Sequence, residues 1–169
     1  TRMPEWKNSG QFRVELAGVH KLPFCGPLGN VRAAMRVTAM GALPDQGQFF
    51  ALGGGTLFRG YDLAERQGSS LWVGNFELRA PLVREAKWDA LDHSIGARNA
   101  WLAAFYDVGE VYANGRTVGG NVVHALGGGL RVDVAVFSFI ERATLRFDVA
   151  KTINDNTPFQ FWFGVQHAF

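Results

Sequence analysis

Phe159-Gln160-Phe161-Trp162-Phe163-Gly164-Val165-Gln166-His167-Ala168-Phe169 closes the chain, and its residues alternate in character to the last position. Neighbouring side chains of an extended strand face opposite sides. A strand here sets Phe159, Phe161, Phe163, Val165, His167 and Phe169 on one face, and Gln160, Trp162, Gly164, Gln166 and Ala168 on the other. A helical period of 3.6 would mix the two sets, so the stretch predicts a strand with one apolar face.

The same period recurs upstream. Leu145, Phe147 and Val149 oppose Thr144, Arg146 and Asp148, while Leu126, Leu130 and Val132 oppose Arg131 and Asp133. Trp72, Phe76 and Leu78 oppose Asn75, Glu77 and Arg79; Val31, Ala33, Met35 and Val37 oppose Arg32, Arg36 and Thr38; Phe12, Val14 and Leu16 oppose Arg13 and Glu15. The stretch Trp101 to Tyr112 is apolar on both faces but carries Asp107, and completes seven alternating segments. One face is hydrocarbon and aromatic throughout; the other bears charges of both signs.

No apolar run approaches the ~20 residues of a membrane-spanning helix, so any membrane crossing must be a closed barrel. The segments run about nine to twelve residues, which matches the ~9–11 that cross a bilayer at a tilt. A soluble sandwich or lipocalin-like barrel alternates too, but its strands are usually about five or six residues. The composition of 21 Gly and 14 Phe suits strands joined by turns. The prediction is an all-β, antiparallel transmembrane β-barrel with lipid against its apolar face. Connections are expected to alternate between short turns and long loops. Ala86, Ala90 and Leu91 predict a short surface helix between Leu82 and Asn99, and the segment around Trp6 could add an eighth strand. The start at Thr1, without Met, reads as a fragment or a processed chain.

The longest connection, 43–70, exceeds an ordinary turn and is expected to be functional or ordered by packing. It contains Gly53-Gly54-Gly55-Thr56-Leu57-Phe58-Arg59-Gly60-Tyr61. A phosphate-cradling loop would continue with Gly-Lys-Ser/Thr, and this one does not. Either it is a flexible loop with an exposed arginine, or the glycines let it fold back into the barrel. Arg59 would then meet carboxylates on the inner wall, where a guanidinium fork binds strongly and with fixed geometry.

Phe58-Arg59-Gly60-Tyr61 resembles the Arg-Gly-aromatic motif of the bacterial surface antigen family, the outer-membrane barrels of BamA/TamA type and their two-partner secretion transporter relatives. Gly74-Asn75-Phe76-Glu77-Leu78-Arg79-Ala80-Pro81-Leu82, Phe105-Tyr106-Asp107-Val108-Gly109, Gly127-Gly128-Gly129-Leu130-Arg131 and Leu145-Arg146-Phe147-Asp148-Val149-Ala150 are similar to further motifs of that family, in the same order. The resemblance implies that Arg59, with Gly60 and Tyr61, docks inside the barrel against Glu77 and Asp107. It implies that Trp162, Gly164 and Phe169 belong to a terminal signal for the outer-membrane assembly machinery, from which His167 departs as a polar residue. The family's barrel has sixteen strands, so residues 1–169 would be the C-terminal part, with 158–169 as terminal strand. Eight strands enclose room only for side chains, and the others would come from upstream in the same protein or from other barrel chains. Implied too are a location in the bacterial outer membrane, insertion or translocation of client proteins there, and a weakly paired seam beside the last strand. Upstream sequence would decide the other possibility, a barrel that only anchors a domain or forms a passive pore.

Other chemistries find little support. A formal charge of +2 without a basic run speaks against nucleic acid. His20, His93, His124 and His167 lack metal-ligand spacing, and no cofactor motif or nucleophile elbow appears. Ser69-Ser70 has no partnered base nearby in sequence, and Cys25 is alone, so no internal disulfide forms. Asp107, Asp133 and Asp148 on separate strands fit a structural charge network better than paired catalytic acids. No enzyme is expected.

Overall fold

The computed structural model describes residues 10–23, 30–43, 49–84, 88–90, 95–136 and 140–167. Cys25, the Trp6 segment and Phe169 lie outside the described residues. Eleven strands occur among the described residues: β1 (Gly10–Lys21), β2 (Arg32–Leu43), β3 (Phe50–Leu52), β4 (Arg66–Gly68), β5 (Ser70–Val83), β6 (Trp88–Ala90), β7 (Ile95–Ala113), β8 (Arg116–Thr117), β9 (Val123–Val136), β10 (Ile140–Thr152) and β11 (Gln160–His167).

The seven long strands are the seven alternating segments of the sequence. They pair antiparallel in the order β1-β2-β5-β7-β9-β10-β11, each beside its predecessor on the path. No pairing joins β1 to β11 among the described residues, so the sheet is a curved wall rather than a closed barrel. Alternation sorts its faces. Outward on successive strands stand Phe12, Val14 and Leu16, Met35 and Val37, Phe76 and Leu78, Leu102, Leu126, Phe147 and Val149, and Phe161, Phe163 and Val165, all exposed. Phe161 is 74% exposed, a degree of exposure that leaves a large apolar patch without protein cover. Inward lie the charged residues and the buried core.

Ala86 and Leu91, two of the three residues that predict the surface helix, lie outside the described residues, and no helix occurs among the described ones. Trp88, Asp89 and Ala90 pair instead with Ala97, Gly96 and Ile95, as a short ribbon that prolongs β7. Spacing over so few residues does not separate the two periods, and the start of β7, paired with β9 on one edge and beyond the reach of β5 on the other, supplies backbone partners that a helix would leave unused. The other end of β7 pairs with β8, and the whole strand reaches 19 residues. The expected alternation of short and long connections is only partial. Three residues separate Val136 from Ile140, but ten separate Lys21 from Arg32 on the same rim.

Between β2 and β5 the chain leaves the wall. Its ends are tied by the β3–β4 ladder, Phe50↔Gly68 to Leu52↔Arg66, and by Ala42 N–H donating to Ser69 O at 3.1 Å. Gly53 and Gly54 turn it back with φ of +126° and +86°, a region L side chains rarely adopt. A Cβ on Gly53 would stand 2.0 Å from Asp62 O. The returning segment buries Leu52, Phe58 and Tyr61 against Leu71, Val73, Val111, Val123 and Ala125 of the inner face. Phe58 and Tyr61 lie 5.0 Å apart between ring centres, so the two aromatics flanking Arg59-Gly60 share one apolar seat.

Candidate functional site

Strand register determines which inward residues meet the segment. One transverse row runs Arg36, Asn75, Asp107, Ala125 and Thr152; the next runs Glu77, Phe105, Gly127 and Ala150; a third runs Ala103, Gly129, Asp148 and Trp162. Acids therefore sit at staggered heights on β5, β7 and β10, and Arg59 enters between them.

Asp107 takes the greatest share. Its Oδ1 accepts from Arg59 Nη2 at 2.6 Å, and its Oδ2 accepts from Nε at 2.8 Å and from the Arg59 backbone N–H at 3.1 Å. Two parallel bonds from one guanidinium edge fix orientation as well as charge. The remaining Nη1 donates to Glu77 Oε2 at 2.8 Å and lies 3.7 Å from Asp148 Oδ2. The guanidinium also rests on the Phe105 ring, 3.4 Å from its centre, so its faces meet π electrons while its edge meets oxygen. Burial alone would lower the pKa of Arg59, but hydrogen bonds and charge from Asp107 and Glu77 outweigh it and raise the value further.

Around this pair the wall builds a network. Arg131 joins Glu77 Oε2 at 3.0 Å to Asp148 Oδ1 at 2.6 Å. Arg79 donates to the other Glu77 oxygen at 2.6 Å, and Arg146 Nε lies 3.2 Å from Asp148 Oδ2. Asn75 donates to Asp107 Oδ1 at 2.9 Å and to Leu57 O at 2.8 Å. Two further arginines hold the crest of the segment through its backbone. Arg36 donates to Thr56 O and Arg146 to Gly55 O.

The structure brings Arg59, Glu77 and Asp107 together in one buried cluster. Gly60 fits where no side chain can, since a Cβ would stand 2.5 Å from that of Ala125 and 3.0 Å from Thr152 Cγ2. Tyr61 sends its hydroxyl to Asp155 in the β10–β11 connection, where Arg66 also binds at 2.8 Å. Trp162 faces inward and donates from Nε1 to Arg59 O at 2.8 Å. Gly164 pairs with Arg146 on β10. Sequence reasoning put Arg131, Asp148, Arg146, Asn75 and Arg36 on the polar face but did not foresee their convergence on one loop. That needs the register of strands far apart in the chain. Among the described residues no group of three His, Cys, Asp or Glu is arranged to hold a metal ion.

Replacing Gly60 with alanine is expected to unseat the segment, because Ala125 is fixed in β9 and the added methyl cannot be accommodated by rotation. Overpacking of this kind costs roughly 1–3 kcal/mol. The check is the temperature at which the fast-migrating band of an unheated gel sample disappears; an unchanged temperature would refute the fit.

A family model described as the Omp85 superfamily domain matches residues 9–169. No curated protein and no solved structure matches the chain.

Proposed function

The chain belongs to the Omp85 superfamily, whose members are bacterial outer-membrane proteins of insertion and translocation, and on that premise we propose that it contributes the last seven strands of a BamA/TamA-type barrel acting on client proteins at that membrane. No bond is made or broken in this reading. The observation that carries it is the segment held by Arg59 against Glu77 and Asp107 on the inner face, behind a wall whose outer face is apolar. A buried guanidinium fork gives a wide barrel an internal brace, and the apolar face suits lipid.

Trp162, Gly164 and Phe169 act in this reading as the terminal signal to the assembly machinery, and strands upstream or from other chains complete the barrel. A seam beside β11 opens to receive a client strand. Gly164 favours that weakness, since glycine in a strand packs nothing and costs entropy. The test is depletion of the protein from its own bacterium. Folded, heat-modifiable outer-membrane barrels, or a secreted client, are expected to fall several-fold and to recover with the wild-type gene. Unchanged amounts of both would leave the chain as an anchor or passive pore.

A further inference from the structure

Among the described residues β11 spans 8 residues and pairs with β10, from Ala143↔His167 to Ala150↔Gln160. Its inward side has another support. The indole of Trp162 donates to Arg59 O at 2.8 Å and lies on Gly55, where a Cβ would stand 3.1 Å from the Trp162 Cβ, Cγ and Cδ2. The lead into β11 adds Asp155, bound by Tyr61 and Arg66, and Thr157 Oγ1, 3.4 Å from Gly60 O. Each of these partners lies on the docked segment, so the segment touches β11 and its lead at the backbone of Arg59-Gly60, at Gly55 and at Tyr61.

We propose that Trp162 is a latch through which the docked segment and the last strand hold each other in place. The bond ends on the backbone of the very residue whose side chain anchors the segment in the acids. Withdrawing Arg59 from Asp107 therefore moves the carbonyl that Trp162 needs. Pulling β11 away from β10 strips that buried carbonyl of its donor, a loss as costly as any unmade buried hydrogen bond. Coupling between two sites is reciprocal, so the order of β11 depends on the docked segment and the reverse. The latch adds to the proposed transport role and does not require it, since it concerns only how two parts of this chain constrain one another.

Amide hydrogen exchange on the full protein in detergent or nanodiscs tests it. Trp162→Phe keeps an aromatic ring over Gly55 and removes the donor. Exchange is expected to rise roughly fivefold to tenfold both in 160–167 and in 54–61, as loss of one buried hydrogen bond implies, while the β5–β7 ladder is unchanged. Gly53→Ala, whose added Cβ would meet only Asp62 and Ala64 of the segment itself, is expected to raise exchange in 160–167. Adding Trp162→Phe to Arg59→Ala is expected to change 160–167 no further. A rise confined to 160–167, a uniform rise across the wall, or additive effects in the double variant would each overturn the latch. Insertion activity is not read, so the outcome stands apart from the transport reading.

Discussion

Arg59→Ala is expected to destabilise the protein by about 3–5 kcal/mol, the cost of removing one partner from a buried ion pair. The size follows from what remains. Glu77 and Asp148 keep Arg131, but Asp107, fully buried, is left with the Asn75 amide as its only side-chain partner among the described residues. A carboxylate so placed has lost most of what offset its desolvation. The network on the wall itself survives, so strand content should persist while the 49–69 segment leaves its seat. Arg59→Lys should fall between, because an ammonium cannot supply the Nε and Nη2 edge that grips both Asp107 oxygens. The check is the urea midpoint of the folded band, with circular dichroism for strand content. A midpoint equal to the wild type would remove the docking claim.

Gly129→Ala should do comparable harm from the wall side, at roughly 3 kcal/mol, by overpacking and by parting a buried ion pair. An added Cβ would stand 2.1 Å from Asp148 Oδ1, 2.3 Å from Phe147 O and 2.9 Å from Arg131 Nη1. The carboxylate could swing aside only by leaving Arg131. The carbonyl belongs to the neighbouring strand and cannot move without breaking the ladder. Gly128→Ala is the control. Its Cβ would find only Ala103 O, at an ordinary 3.4 Å, so the substitution should be near neutral. Equal loss from both variants would mean that strand propensity, not the site, explains the glycines.

Most of the wall was legible in the sequence because its period is short and local. Alternation alone gives the face of Glu77, Arg131 and Asp148. What alternation cannot give is height: Gly129 meets Asp148 and Asp107 meets Ala125 only because particular registers hold between strands, and those depend on turns and bulges that side-chain character does not encode. The resemblance supplied Arg59, Glu77 and Asp107 as a set. It did not supply Arg36 and Arg146, which grip backbone carbonyls of the segment and leave no pattern in side-chain spacing. Trp162 was read as part of a signal, and its contact with Arg59 was invisible for the same reason. The ribbon at Trp88–Ala90 was read as helix because so few residues carry either period weakly, and its pairing with Ile95–Ala97 is a tertiary matter.

The reach of β7 has a consequence for the shape of the protein in its membrane. Its 19 residues, at about 3.3 Å each and tilted by roughly 40°, rise roughly 45–50 Å, against an apolar band about 25 Å tall in such barrels. Part of the surplus lies at the end where β6 is paired, opposite the rim from which the docked segment descends. There the wall is expected to continue past the hydrocarbon as a parapet of hydrogen-bonded ribbon. In a completed barrel the mouth on that side is expected to open above the lipid headgroups rather than flush with them, behind a raised threshold.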